Sequence, residues 1–321
     1  LDLAKLPGGL PPLASVKLDS PVANPGKIVN SPPMTTNLRF GAAYKTPNPK
    51  TYFDYSEYGG MGGAVEMCSG MGECRKKLDG TMCPSYMGTL DEEHSTRGRA
   101  NALRNVLSGL VPKSEFTGKR LHEVMDLCLS CKACKSECPS NVDVAKLKAE
   151  FLQHYYDSRG VPFRTRLIAG FTQMAALASI WPAAYNFFVR SAFTGTLIKR
   201  LSGFAIQRSM PLAGRQTVRS WWKKHVAEKP QDESNAQRKV FFFCDEFTNY
   251  NDTAIGIKAI LLLEKLGYTV VLPEHLESGR TWLSKGLLRK AKGIVHKNLA
   301  LLHPLISETS PLVGVEPSAI L

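Results

Sequence analysis

The chain has 321 residues, of which 43% are hydrophobic, and a formal charge of +13 at pH 7. This length is sufficient for two or three small domains. The first residues lack the basic and then apolar pattern that is typical of a secretory signal. Seven of the eight cysteines lie between positions 68 and 138. In a long chain without a signal, such clustering argues against a disulfide framework and favours a reducing compartment and metal binding.

The N-terminal part differs in composition from the rest. Residues 1–50 are rich in Pro, Gly and Asn and show no hydrophobic period, so we expect an extended tail. Residues 51–65 are first aromatic and then rich in glycine. The chain begins at Leu1 rather than at Met and ends at Leu321, directly after a strand-like run. We therefore expect it to be a segment of a longer polypeptide.

The cysteines lie among predicted helices in residues 66–160. Apolar residues at helical spacing predict one helix over residues 95–110. A second helix leads from residue 119 into Cys128. A third follows Cys138, with Asn141 or Asp143 as its N-cap, and runs to about residue 156.

Residues 161–227 are interpreted as several helices that Pro182, Gly203 and Pro211 interrupt. This part carries much of the positive charge, since 11 Lys and Arg but no Asp or Glu lie between residues 158 and 227. Nucleic acid, a membrane surface and a partner protein are the ligands that such a stretch fits.

Strand-like and helix-like runs alternate after residue 238. The predicted strands are Lys239–Cys244, Tyr268–Leu272 and Leu312–Val315, and the predicted helices are Asp252–Leu266 and Trp282–Leu302. This alternation predicts a parallel sheet covered by helices. Cys244 ends a buried strand in this interpretation and is expected to be an inert core thiol.

The cysteines of the second motif are Cys128, Cys131, Cys134 and Cys138, and Pro139 follows them. Their spacing, C-x2-C-x2-C-x3-C-P, is the bacterial ferredoxin pattern. The two-residue gaps let three thiolates hold three irons of one cuboidal cluster, whereas the last cysteine points towards a neighbouring cluster. A zinc site rarely needs four cysteines within eleven residues, so we expect at least one [4Fe–4S] cluster.

The first motif is degraded. Cys68 and Cys74 take the first and third places, Met71 stands where the second cysteine should be, and Cys83 with Pro84 takes the last place. Exchange of the last cysteines between the motifs predicts a complete ligand set of Cys83, Cys128, Cys131 and Cys134. The remaining set is Cys68, Cys74 and Cys138. It can hold a [3Fe–4S] cluster, hold a [4Fe–4S] cluster with a non-cysteine ligand, or remain empty.

Arg97 and Arg99 lie between the two motifs. They can donate hydrogen bonds towards a cluster or its thiolates and raise its potential. The alternative is an ordinary helix N-terminus that Ser95 caps, with both arginines in solvent.

These motifs resemble those of large bacterial oxidoreductases that contain FAD and iron–sulfur clusters. The resemblance is carried by Cys68, Cys74, the Met82–Tyr86 run, the Asp91–Ala100 run and the ferredoxin pattern. The best-known type in this family is the FAD-linked D-2-hydroxyglutarate dehydrogenase. Such enzymes look like an FAD-linked dehydrogenase fused to an iron–sulfur protein similar to that of glycolate oxidase or of the anaerobic glycerol-3-phosphate dehydrogenase.

The resemblance also suggests which domains the N-terminal residues and the α/β part belong to. Asn24, Pro25, Gly26 and Lys27 look like the closing motif of the C-terminal domain of FAD-linked oxidases. The α/β part is similar to the cysteine-rich domain of heterodisulfide-reductase-like proteins, but Glu277–Arg280 and Glu316–Ala319 replace its cysteine motifs. Thiol chemistry is therefore not expected there, and we expect a structural or docking role.

The expected fold class is α+β with several domains. The resemblance implies the tail of an FAD domain over residues 1–50 and an α-helical, ferredoxin-like domain of the 2[4Fe–4S] type over residues 51–160. A basic helical segment follows over residues 161–235, and a truncated α/β domain of degenerate cysteine-rich type over residues 236–321.

The implied function is electron transfer from a flavin, through a [4Fe–4S] cluster, to a quinone or an electron carrier. FAD and substrate would bind in a domain upstream of Leu1, and this segment alone would be inactive. The resemblance implies the cytoplasm as the cell compartment, with the inner face of the membrane as an alternative. The oligomeric state is left open, with a homo-oligomer as one alternative. The rival interpretations are a scaffold protein of a heterodisulfide-reductase-like or lactate-utilisation complex and a nucleic-acid-binding protein, of which the last is disfavoured.

Overall fold

The computed structural model describes Thr36 and residues 41–109, 111–228 and 238–320. The chain divides into two compact units, residues 1–46 and residues 47–321. In the first unit, Tyr44 donates a backbone hydrogen bond to the carbonyl of Gly41 and closes a turn. The predicted closing motif of an FAD domain, residues 24–27, lies outside the described residues.

The cysteine-containing part of the second unit is helical. Its helices are α1 (Met61–Glu66), α2 (Pro84–Thr89), α3 (Thr96–Leu107), α4 (Lys119–Asp126), α5 (Ala133–Glu137) and α6 (Val144–Arg159). Ser95 caps α3 by accepting the N–H of Gly98, and Asp143 caps α6 by accepting the N–H of Lys146. The predicted helix over residues 95–110 ends early, since Gly109 adopts a left-handed conformation.

The apolar faces of these helices form one core. Leu103 of α3, Met125 of α4 and Leu147 and Phe151 of α6 are fully buried in it. Truncation of a side chain such as Phe151 to Ala typically costs about 3–5 kcal/mol.

Five helices follow: α7 (Phe163–Ala169), α8 (Phe171–Ala178), α9 (Pro182–Arg190), α10 (Ala192–Ser202) and α11 (Val218–Ala227). The predicted interruptions are present, because Pro182 begins α9 and Gly203 ends α10 in a left-handed conformation. No helix among the described residues combines the length and apolar character needed to cross a membrane.

The last part contains a small parallel sheet, as predicted. Its strands are β1 (Lys239–Phe242), β2 (Thr269–Val271) and β3 (Leu312–Val313), in the order β2-β1-β3. Val240 pairs with Val270 and Phe242 with Val313, both in parallel. The central strand is buried on both faces, which explains its continuous apolar sequence.

The helices around the sheet are α12 (Glu246–Tyr250), α13 (Thr253–Lys265), α14 (Arg280–Ser284), α15 (Leu288–Leu302) and α16 (Pro317–Ile320). The prediction of one continuous helix over Trp282–Leu302 is wrong. Gly286 breaks it with a φ of +71°, and a Cβ there would lie 2.2 Å from the Cβ of Leu152 in α6. Close packing against α6 therefore requires both the break and the glycine.

Candidate metal centres

Four cysteines from both motifs surround one cavity with an open volume of about 320 Å³. Cys128 and Cys131 come from the loop after α4, Cys134 lies in α5, and Cys83 immediately precedes α2. Cys83 has a left-handed backbone with a φ of +56°, which is uncommon for a non-glycine residue. The structure thus brings together the four residues of the predicted complete set.

Three cysteines line a second cavity of about 290 Å³. Cys68 and Cys74 come from the first motif, and Cys138 comes from the end of the second. Met71, which stands at the missing cysteine position, lies at this cavity with 68% of its surface exposed. Each cavity therefore combines cysteines of both motifs, in the exchanged arrangement that the spacing predicts.

The donor chemistry of the cavities suits clusters. In the described part of the chain all eight thiols are free of disulfide bonds. No group of three or more His, Cys, Asp or Glu side chains among the described residues is arranged to hold a single metal ion. A cuboidal cluster does not need such convergence, because each thiolate binds a different iron.

The N-terminus of α3 lies between the two cavities, and Thr96 lines both. The backbone N–H of Thr96 donates to Sγ of Cys83 at 3.0 Å, and the hydroxyl of Thr96 lies 2.9 Å from the same sulfur. The next N–H, that of Arg97, donates to Sγ of Cys74 at 3.4 Å. Consecutive peptide groups thus contact one thiol of each site.

The N-terminus of α6 faces the first cavity in the same way. The N–H groups of Val144 and Ala145 contact the Cys134 thiol and favour its thiolate, but burial dominates and raises the pKa of Cys134 to about 11. Burial also raises the pKa of Cys83, against the opposing effect of Thr96. A bound metal offsets this cost because it is the thiolate form that it ligates.

Two buried basic side chains lie near the first cavity: Arg99 lines it, and Lys148 contacts the backbone of Cys128. Arg99 is 1% exposed and donates to the carbonyls of His94 and Val124, at 2.6 and 3.1 Å, and to the Ser85 hydroxyl. Lys148 is 8% exposed and donates to the carbonyls of Cys128 and Asp126, at 2.6 and 3.2 Å.

Arg99 has no carboxylate partner within the described ranges. Burial lowers the pKa of Lys148, against the opposing effects of Cys128 and Asp126. A buried cation without an anion is costly. A [4Fe–4S]2+ core with four thiolates carries a net charge of −2, so the charge of Arg99 fits such a group in this cavity.

The two arginines between the motifs differ in position. Arg99 lines the first cavity, and its side chain is not in solvent. Arg97 lines the second, but its guanidinium binds the Glu92 carboxylate at 2.6 Å and the carbonyl of Gly70 at 3.1 Å. It is the backbone N–H of Arg97, and not its side chain, that contacts a sulfur.

Sequence reasoning missed three residues at these sites. Thr96 lies inside the Asp91–Ala100 run, and its place at the start of α3 was the available signal. Lys148 gave no signal, because a lysine on a helix is ordinarily solvated. Glu137 lies between two cysteines, and its carboxylate accepts the N–H of Thr81 at 2.9 Å.

The α/β part holds no comparable thiol cluster in its described residues. Cys244 is buried beside the sheet, and burial raises its pKa to about 12, which agrees with an inert core thiol. An ion pair at 2.9 Å between Arg280 and Glu316 joins the Glu277–Arg280 and Glu316–Ala319 segments.

Comparison with known proteins supports the assignment of the cysteine region. Residues 66–143 match the family model of the 4Fe-4S dicluster domain. The chain is 29% identical over 301 residues to the D-2-hydroxyglutarate dehydrogenase of Pantoea ananatis and 28% identical over 301 residues to that of Escherichia coli. Each alignment covers 81% of this chain. The predicted resemblance to this family is confirmed.

The chain spans only 29% of the length of each of these two dehydrogenases. A shorter match, 36% identical over 69 residues, is to the probable glycolate oxidase iron-sulfur subunit of Bacillus subtilis. It covers 21% of this chain and 15% of that protein. No solved structure matches the chain.

Proposed function

We propose that this relative of the D-2-hydroxyglutarate dehydrogenases is the electron-transfer portion of a D-2-hydroxy-acid dehydrogenase that contains FAD and iron–sulfur clusters. The observation that carries the proposal is the first cavity, where four cysteines from two motifs meet beside the buried Arg99. The substrate of the whole enzyme would be 2-hydroxyglutarate, lactate or glycolate. The names of the relatives favour the first.

The proposed ligands of a [4Fe–4S] cluster are Cys83, Cys128, Cys131 and Cys134. A bound cluster supplies one-electron storage, which a two-electron flavin needs in order to pass its electrons on singly. Thr96 donates to one of the thiolates, and Arg99 places positive charge beside the site. These groups favour the state that carries the additional electron.

Cys68, Cys74 and Cys138 are the proposed ligands of a second cluster. The dicluster family match favours an occupied second site. Because only three thiols line this cavity, the cluster is of the [3Fe–4S] type or has an iron without a thiolate ligand.

The proposal assigns the flavin to a separate domain of the same polypeptide, with residues 24–27 as its closing motif. Electrons leave the clusters for a quinone or an electron carrier in the cytoplasm or at the inner face of the membrane. This chain by itself would show no dehydrogenase activity.

Analysis of iron and sulfide, with EPR on anaerobically purified protein, tests the proposal. We expect about four irons for one cluster and seven or eight for two. Cys131→Ala should remove one cluster, whereas Cys244→Ala, the matched control at a buried thiol outside the sites, should keep all the iron. Zinc without sulfide would contradict the proposal. In the complete enzyme, D-2-hydroxyglutarate should reduce the clusters.

A further inference from the structure

Helices α9 and α10 form a hairpin that exposes large apolar side chains. In α9, Tyr185 and Asn186 face inwards, where they donate to the carbonyls of Pro211 and Ala213, and Phe187 is 70% exposed. In α10, Phe193, Leu197 and Leu201 recur at every fourth position and are exposed. Helix α9 therefore has a bonded inner face, and both helices expose large apolar side chains.

Packing fixes the arrangement of this hairpin. A Cβ on Gly195 would lie 2.5 Å from the carbonyl oxygen of Val189, so only glycine permits this approach. The hydroxyl of Thr194 donates to the carbonyl of Phe188 at 2.6 Å. These contacts join α10 to the end of α9 and so fix how the apolar side chains of the two helices lie relative to each other.

The same apolar character continues before the hairpin. In α8, Ala175 is buried and Phe171 stacks on Phe247, whereas Met174 and Leu177 are exposed. Trp181, directly before α9, is 76% exposed. Large exposed apolar groups at this density are typical of a binding surface.

Positive charge surrounds the apolar groups. An open groove is lined by Phe187, Arg190 and Arg215 together. Arg200 is exposed on α10 next to Leu201. Since residues 158–227 contain no Asp or Glu, nothing in this segment offsets that charge.

We propose that the outer face of the α9–α10 hairpin, with Trp181, binds the surface of a bilayer that contains anionic lipids. Exposed Trp, Phe and Leu beside arginines are the composition of helices that lie in the membrane interface. Anionic headgroups attract the arginines, and the apolar side chains enter the headgroup region. The role of this surface rests on the proposed function, since a quinone acceptor would be reached at a membrane. The binding to lipid itself does not depend on the proposed function.

Sedimentation of the holoprotein with phosphatidylcholine vesicles, with and without phosphatidylglycerol, tests the proposal. We expect binding to the anionic vesicles only, and we expect it to weaken as salt is added. The joint change Phe187→Ser and Phe193→Ser should weaken binding about tenfold. The matched control, Leu262→Ser with Leu299→Ser, removes two exposed leucines from α13 and α15 and should leave binding unchanged.

Reversal of the arginine charges is the second test of lipid binding. Arg190→Glu with Arg200→Glu should abolish the preference for anionic vesicles, whereas Lys258→Glu with Lys297→Glu, on α13 and α15, should not. Equal binding to both vesicle types, or equal losses in test and control variants, would overturn the proposal. The proposal would also be overturned if the Phe187→Ser and Phe193→Ser change lost binding to a protein partner while binding to vesicles remained. Iron content distinguishes these outcomes from failure of the proposed function, since it reports the clusters and not the surface.

Discussion

Glu137 accepts a hydrogen bond from the backbone N–H of Met82 at 3.0 Å, and thereby ties the second cysteine motif to the residue that precedes Cys83. The carboxylate also accepts the N–H and the hydroxyl of Thr81. Three donors of the first motif thus meet one side chain of α5. This contact helps to place Cys83 at a cavity whose other three cysteines belong to the second motif.

Glu137→Ala should therefore loosen the first site without removing a cysteine. Loss of these hydrogen bonds would weaken the placement of Cys83 by about 1–2 kcal/mol. We expect iron release to a chelator to become roughly tenfold faster, measured by the loss of visible absorbance. Glu57→Ala, at an exposed glutamate on the Ser56–Tyr58 turn, is the control. Equal release rates in the two variants would show that the contact does not hold Cys83.

Exchange of the last cysteines between motifs is testable with two serine variants. Cys83→Ser should alter the same EPR signal as Cys131→Ser, because both residues line the first cavity. Cys138→Ser should alter the other signal, although it lies only seven residues from Cys131 along the chain. If Cys138→Ser and Cys131→Ser changed the same signal, each motif would ligate its own cluster and the exchange would be wrong.

Thr96→Val should lower the potential of the first cluster. Valine has a similar shape but no hydroxyl, so the contact to Sγ of Cys83 is lost while the backbone N–H remains. A hydrogen bond of about 1 kcal/mol corresponds to a shift of roughly 40 mV for one electron. Potentiometric titration followed by EPR gives the value. Thr117→Val, at a half-buried threonine in the Lys113–Thr117 turn, should not shift the potential.

Arg99→Met should lower the same potential further. It removes a buried positive charge that favours the reduced, more negative cluster, and we expect a change on the order of 50–100 mV. Arg99→Lys should restore part of this shift because it keeps the charge. An unchanged potential in Arg99→Met, with full iron content, would show that the guanidinium serves only to bind the carbonyls of His94 and Val124.

His275 predicts a pH dependence of the α/β part. Burial lowers its pKa to about 4, and its neutral ring accepts the N–H of Cys244 at 3.2 Å. Below pH 6.5 the unfolded chain binds a proton at His275 that the folded chain does not. The contribution of His275 therefore lowers the free energy of unfolding as the pH falls from 6.5 to 4, and it does not vary above pH 6.5. With allowance for residual exposure, the loss is roughly 2 kcal/mol.

Hydrogen exchange of the amides in β1 measures this effect, after correction for the intrinsic rate at each pH. In His275→Gln, an amide oxygen can accept the Cys244 N–H at any pH, so the acid-induced loss should be smaller. The same loss in His275→Gln would assign the pH dependence to other groups.

Spacing alone predicted the grouping of the cysteines, because ligand geometry is local and the Cys-Pro pattern carries direction. Apolar periods and helix caps in the sequence also predicted β1, α3 and α6. The sequence could not predict the partners of Arg99 and Lys148, since burial of a cation depends on which helices pack over it. Nor could it predict the break at Gly286, because Leu152 of α6, more than a hundred positions earlier, determines it.

Residues far along the chain complete the hydrophobic core of the cysteine-containing helices. Ala169 of α7 and Leu287, just before α15, are buried in the same cluster as Leu103 and Phe151. A fragment that stopped near residue 160 would keep all seven clustered cysteines, yet it would present the outer side of α6 to water. The smallest part of this chain that we expect to fold around the clustered cysteines is therefore larger than the cysteine motifs and includes the later helices.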